Sequence, residues 1–263
     1  MLRLISENQI DDVLNFCDGD PIGTRVGAYL KAYRTNMDFA MFWEQINDGK
    51  ITSAVSRIDG DMTVCVSENT DYDELSEFVH IIGFNTLFSQ AEFFRKINLD
   101  CVQGDILKFN GKNKFDDSVG FNIEPAALYD LVCRANSTEV RKEEHLPWLS
   151  DFTFRQRRNM LRAVGIYDSG ELVSCAMTSA ETSISAVISG VATDENFRCR
   201  GLAEKCVLAL ADSLIKLKKE NIFVMTENGE LTKYYKHLGF DKIGEWGRHM
   251  PQRKGNIYVW NMR

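Results

Sequence analysis

Gly190-Val-Ala-Thr-Asp-Glu-Asn-Phe-Arg-Cys-Arg-Gly-Leu-Ala203 decides how this chain is read. A run of β-formers, Ser183 to Ser189, precedes it, and a segment of helical period follows it. Arg198-x-x-Gly201-x-Ala203 therefore falls where a strand ends, the chain turns and a helix begins. The first amide groups of that helix have no intrahelical partner, and with the positive end of the dipole they attract an anion. Gly201 removes the Cβ that would keep a phosphate away from the backbone, and Ala203 keeps the next turn small. Arg198 and Arg200 flank the loop with charge that does not titrate away. A ligand carrying a diphosphate is the first expectation.

A second pattern lies downstream in Asn228-Gly-Glu-Leu-Thr-Lys-Tyr-Tyr-Lys-His-Leu-Gly-Phe240. Asn228 is followed seven residues later by Tyr235 and then by Gly239-Phe240. Together with Val191-Ala192-Thr193, which ends five residues before Arg198, the two motifs resemble the GNAT superfamily of acyl-CoA-dependent N-acetyltransferases. The resemblance covers about residues 120–263. Two motifs in the right order, with an amphipathic helix and a strand between them, are far more specific than Arg-x-x-Gly-x-Ala alone.

Working outward, Ala203, Val207, Leu210, Leu214 and Leu217 recur at helical spacing over Leu202 to Glu220. The pattern predicts a further strand at Ile222 to Thr226 and a helix at Leu231 to His237 that Gly239 stops. Upstream it predicts helices over Glu124 to Asn136 and Trp148 to Met160. A hairpin follows, Leu161 to Ile166 and Glu171 to Thr178, closed at Tyr167-Asp-Ser-Gly, and then a strand from Ser183 to Thr193. A closing strand is expected at Ile257 to Asn261.

The first part of the chain repeats this order. Strands are expected at Leu2 to Ile5, Ile51 to Ile58, Met62 to Ser67 and Phe84 to Phe88. Helices are expected at Gln9 to Cys17, Thr24 to Tyr33, Asp38 to Ile46, Tyr72 to Ile82 and Ala91 to Ile97. Phe93-Phe-Arg-Lys-Ile-Asn-Leu-Asp100 echoes Tyr234-Tyr-Lys-His-Leu-Gly-Phe-Asp241 at the same point in the order, which reads as duplication. The corresponding strand-to-helix junction, Ser67-Glu-Asn-Thr-Asp-Tyr-Asp-Glu74, has no Arg, no Gly and four acidic residues. Such a loop repels a pyrophosphate, and Phe94 stands where Tyr235 stands. The expectation is an α/β protein of mixed sheet with two tandem GNAT-like domains. Residues 1–115 form a degenerate domain without a CoA site, residues 116–263 the acetyltransferase domain, and the polar run Asn110 to Ser118 the boundary.

Charge follows the same division. Residues 1–115 hold 11 basic and 18 acidic residues and so carry the whole net charge of −7, while residues 116–263 hold 20 of each. The acidic part disfavours a nucleic-acid partner. No apolar run approaches the roughly 18 residues that span a bilayer, so no membrane partner is expected. Met1-Leu-Arg-Leu-Ile-Ser-Glu-Asn8 has no signal-peptide core. Seven cysteines without CxxC pairs read as reduced thiols, and a cytoplasmic location is expected. No Cys/His spacing suggests a metal site.

The resemblance implies acetyl-CoA as co-substrate and a role for each motif residue. Backbone groups of Val191 and Thr193, with Ala192 between them, bind the pantetheine arm. An amide near Ala192 or Thr193 faces the oxyanion. The amides of Arg198, Cys199, Arg200, Gly201, Leu202 and Ala203 bind the pyrophosphate. Asn228 reaches the pantetheine, and Tyr235 protonates the departing sulfur. Tyr234 is read as core packing, and His80, His145, His237 and His249 are given no role. No general base is evident: no carboxylate lies between Ser183 and Thr193, Glu181 at the start of the strand before the cradle is one candidate, and deprotonation through water or by a carboxylate of the first domain is the alternative. The function expected is transfer of an acetyl group to a primary amine, of a small molecule or an exposed amino group, with a cationic acceptor favoured. A non-catalytic acyl-CoA-binding regulatory or sensor protein is the alternative, and transfer of a longer acyl group a third reading.

Overall fold

The computed structural model describes residues 1–111, 119–121, 123–135 and 142–251. In chain order the elements are β1 (Leu2–Leu4), α1 (Ile10–Cys17), α2 (Pro21–Tyr33), β2 (Ala40–Asn47), β3 (Lys50–Ile58) and β4 (Asp61–Val66). Next come α3 (Tyr72–Ile82), β5 (Thr86–Gln90), α4 (Ala91–Lys96) and β6 (Val102–Phe109). Then follow α5 (Pro125–Ala135), α6 (Lys142–Gln156), β7 (Ala163–Asp168), β8 (Glu171–Glu181), β9 (Ser185–Thr193) and α7 (Leu202–Lys216). The chain ends on β10 (Asn221–Thr226), α8 (Gly229–His237) and β11 (Phe240–His249). The order α-α-β-β-β-α-β-α-β thus occurs twice, from α1 to β6 and from α5 to β11, as a duplication requires. The strand expected at Ile257 to Asn261 lies outside the described residues.

The chain forms two compact units, and neither is one contiguous segment. The first takes Met1–Leu107, Met225–Lys233 and the described part of Lys242–Asn261; the second takes the described parts of Lys108–Val224 with Tyr234–Asp241.

In the first unit β1 to β4 pair antiparallel, β4 pairs parallel with β5, and β5 pairs antiparallel with β11 from Leu87↔His249 to Gln90↔Trp246. The last strand of the second repeat therefore completes the first unit. Asp20 and Pro21 start α2: the Asp20 carboxylate accepts from the Gly23 amide at 2.7 Å, and the proline occupies a first-turn site that needs no N–H. Trp43, Val55, Val64, Leu75, Leu87, Phe93 and Phe94 make the core. The helix expected over Asp38 to Ile46 is corrected: Ala40–Asn47 is β2, paired with β1 on one side and β3 on the other. Its four consecutive buried residues, Phe42 to Gln45, match a strand covered on both faces. The helical spacing of Phe39, Phe42, Trp43 and Ile46 is overridden by that pairing.

In the second unit β8 lies between β7 and β9, and β9 pairs parallel with β10. Cys206, Val207, Leu210, Ala211 and Leu214 form the buried stripe of α7. Leu128, Leu131 and Val132 of α5 and Trp148 and Phe152 of α6 pack against Leu172, Cys175, Met177 and Ala192. These contacts fix the sheet end at which β9 stops.

Candidate active site

Two departures from regular pairing shape the end of β9. Cys175 opposes Ala192 and Met177 opposes Ser189, so Gly190 and Val191 together face Ala176: a β-bulge. Gly190 has φ +54°, and a Cβ there would sit 2.7 Å from Met177 Cε, so the bulge requires glycine. Parallel pairing with β10 runs only from Asn221↔Ser185 to Val224↔Ile188, while β9 continues to Thr193. Ser189 to Thr193 thus extend past the ladder with β10 while staying paired with β8, so only the edge turned away from β8 is open to an amide-bearing ligand.

The turn that follows ends on α7, whose N-cap Gly201 has φ +73° and no side-chain cap. The first intrahelical bond runs from the Lys205 amide to the Gly201 carbonyl at 3.1 Å, leaving the amides of Leu202, Ala203 and Glu204 for another acceptor. Cys199 is also left-handed, φ +60°. Left-handed residues on either side of Arg200 give the backbone alternation that gathers amides into an anion-binding concavity. The corresponding helix of the first unit, α3, differs: its N-cap Asp71 accepts from the Glu74 amide at 3.0 Å, so a carboxylate already fills that end.

A cavity of about 370 Å³ joins these features; its lining includes Ala135, Val191 to Thr193, Phe197, Arg198, Cys199, Gly201 to Glu204 and Tyr234. A strand end overhanging its parallel partner β10 on one side and an uncapped helix N-terminus on the other suit a ligand with an amide-containing arm joined to an anion. The profile of the Acetyltransferase (GNAT) family matches residues 126–240. That stretch is a GNAT domain. A search of curated protein sequences returned no match. Among solved structures, the chain is similar to a tandem GNAT protein from the clavulanic acid biosynthesis pathway, at 13% identity over 94% of this chain and 97% of that one, TM-score 0.59. It is also similar to a Drosophila protein, at 12% identity over 95% and 98% of the two chains, TM-score 0.66. A GCN5-related N-acetyltransferase-like protein from Streptococcus suis matches at 16% identity over 93% and 99%, TM-score 0.55. The architecture of the whole chain is that of a tandem GNAT fold.

The GNAT domain brings Val191, Ala192, Thr193, Arg198, Cys199, Gly201, Leu202 and Ala203 to one cavity. Three other expected site residues are placed differently. Arg200 does not line it: its guanidinium lies 4.9 Å over the Phe197 ring and donates to the Asn196 carbonyl at 2.9 Å. Asn228 is a helix cap, its oxygen accepting from the amides of Glu230 and Leu231 at 3.1 and 2.9 Å. Tyr235 and Tyr234 exchange the positions read from the sequence. Tyr235 is buried, its ring edge-on to Phe240 at 5.5 Å, and burial pushes its hydroxyl pKa up. Its counterpart in the repeat, Phe94, is likewise a core residue.

Tyr234 lines the cavity instead, and its buried hydroxyl has no hydrogen-bond partner. Burial first, and then the nearby Glu204 carboxylate, push its pKa up to about 12. Among the described lining residues Glu204 is the only carboxylate. Glu181 is not free to act as a base: buried, it is paired with Arg162 at 2.9 Å and accepts from Thr178 at 2.7 Å. Sequence reasoning missed Ala135, Phe197, Glu204 and Tyr234 among the lining residues. The only signal for Tyr234 was that adjacent helical residues face different ways, so one of the two tyrosines must leave the core. Among the described residues no three His, Cys, Asp or Glu side chains gather as metal ligands, and no helix is long and apolar enough to cross a membrane.

Proposed function

We propose that the chain transfers an acetyl group from acetyl-CoA to a primary amine, of a small molecule or of an exposed amino group. The observation that carries this reading is the uncapped N-terminus of α7 opening on the same cavity as the overhanging end of β9. Acetyl transfer forms a C–N bond as the C–S bond breaks, and it needs a held thioester, a polarised carbonyl and a proton for the sulfur. Amides at the α7 N-terminus hold the pyrophosphate, and backbone groups of Val191 and Thr193 hold the pantetheine. An amide beside the Gly190–Val191 bulge faces the developing oxyanion.

The proton is assigned to Tyr234, because this residue lines the cavity and its hydroxyl, buried and unpartnered, keeps its proton at neutral pH. Tyr235 supports that ring from behind. The amine loses its proton to water or to Glu204, the one carboxylate among the described lining residues. The acidic character of residues 1–115 favours a cationic acceptor and disfavours a nucleic-acid partner. The first GNAT-like domain has no CoA site of its own, a reading that rests on the Asp71 cap. Seven cysteines, none of them disulfide-bonded, fit the reducing cytoplasm.

The test is thiol release from acetyl-CoA across a panel of amines, beside calorimetric titration with CoA. Turnover with an amine supports the enzyme reading. Tight CoA binding without turnover would favour a sensor, and absence of CoA binding would refute both.

A further inference from the structure

Arg198 brings charge to the cradle, yet its guanidinium is engaged with protein carbonyls. Its Nη2 donates to the carbonyl of Ala135, the last residue of α5, at 2.8 Å. Its Nε donates to the carbonyl of Thr193, the last residue of β9, at 3.3 Å. The final carbonyls of a helix have no intrahelical partner, and a cation there is favoured by both hydrogen bonding and the dipole. One planar group thus bridges the end of α5 to the end of β9, a two-carbonyl geometry that the fork of arginine suits and the point charge of lysine does not.

A second link joins the same two ends. Arg134, in the last turn of α5, pairs with Asp194 at 3.4 Å. Asp194 is itself held, its amide donating to the Val173 carbonyl at 2.9 Å and its carboxylate accepting from the Asn196 amide at 3.0 Å. Ala135, Thr193 and Arg198 all line the cavity, so both links set the position of its α5 wall.

We infer that Arg198 is a positioning residue. It clamps α5 to β9 and fixes the cavity wall along the pantetheine channel, while the pyrophosphate is held by backbone amides and not by this side chain. The inference rests on the acyl-CoA reading for what the channel holds, but the clamp can be tested without any ligand.

The experiment compares the parent protein with Arg198→Ala and Arg134→Gln. Affinity is measured for acetyl-CoA and for acetylpantetheine, which lacks the phosphates, and amide hydrogen exchange is followed in the last turn of α5. A clamp predicts that Arg198→Ala weakens both compounds by the same factor, about three- to tenfold, the weight of one charge-assisted hydrogen bond at an exposed site. It also predicts that exchange at Val132 to Ala135 rises by a similar factor without ligand, with a smaller rise in Arg134→Gln. Weakening confined to acetyl-CoA would make Arg198 a phosphate ligand and overturn the inference. Unchanged exchange in both variants would overturn it as well. If the parent binds neither compound, the acyl-CoA reading fails, and the exchange arm alone decides the clamp. If Arg198→Ala does not fold, Arg134→Gln, which leaves the cradle intact, carries the test.

Discussion

Replacing Tyr234 by Phe removes one oxygen and separates the roles of two adjacent tyrosines. The Tyr234 hydroxyl is buried without a partner, so deleting it removes a desolvation cost, and the variant should be as stable as the parent or more stable by up to about 1 kcal/mol. Catalysis should move the other way. A positioned acid contributes roughly 10²- to 10⁴-fold. With its pKa pushed up to about 12, Tyr234 is a weaker acid than a thiol, so complete transfer to the sulfur is uphill and a loss near 10² is expected. The loss should fall on kcat, with the KM for acetyl-CoA changing much less, because the lost contact matters mainly in the transition state. Tyr235→Phe is the matched control: its ring packs on Phe240, and turnover should stay within a factor of about three. The assay is thiol release under saturating acetyl-CoA, paired with urea denaturation of all three proteins. If Tyr235→Phe is the damaging change and Tyr234→Phe is silent, the assignment from cavity lining is wrong. If neither lowers turnover, solvent protonates the thiolate.

The remaining predictions test the cradle, the stoichiometry and the buried thiols. Gly201→Glu should raise the Kd for CoA at least tenfold while the protein stays folded. The left-handed φ of +73° costs a Cβ roughly 1–2 kcal/mol, and the added carboxylate competes for the α7 amides; unchanged CoA affinity would move the site elsewhere. Calorimetry should give one CoA per chain, because α3 is capped by Asp71 where α7 is open, and two equivalent sites would sink the degenerate-domain reading. Burial raises the thiol of Cys175 from 9.0 to about 12 and that of Cys206 from 9.0 to about 11. The folded state therefore keeps both protons while the unfolded chain ionises. Their contribution is fully present below pH 9 and is lost as pH rises through that window. Moving to about pH 10.5 should cost about 2 kcal/mol for each thiol by urea denaturation. Cys206→Ala should remove its share of that slope, and a pH profile identical to the parent's would contradict the burial argument.

What the sequence determined by itself was local. The strand, turn and helix around Gly190 to Ala203 are contiguous, and the amide concavity follows from chain conformation and from the two glycines that permit it. The repeat order was legible for the same reason, since apolar periodicity and turn residues mark elements without reference to their neighbours. The tertiary structure decided whatever depends on a partner distant in sequence. Phe39 to Ile46 carries helical spacing yet becomes β2, because strands on both sides supply its hydrogen bonds. β11, written Phe-Asp-Lys-Ile-Gly-Glu-Trp-Gly-Arg-His, has too many charges to read as a strand and gains its identity by pairing with β5. The motif position of Tyr235 could not tell which of two neighbouring rings meets the cavity, because that is settled by Phe240 packed beside it. Arg198 likewise looked like a phosphate ligand until α5 brought the Ala135 carbonyl within reach, 63 residues away in the chain.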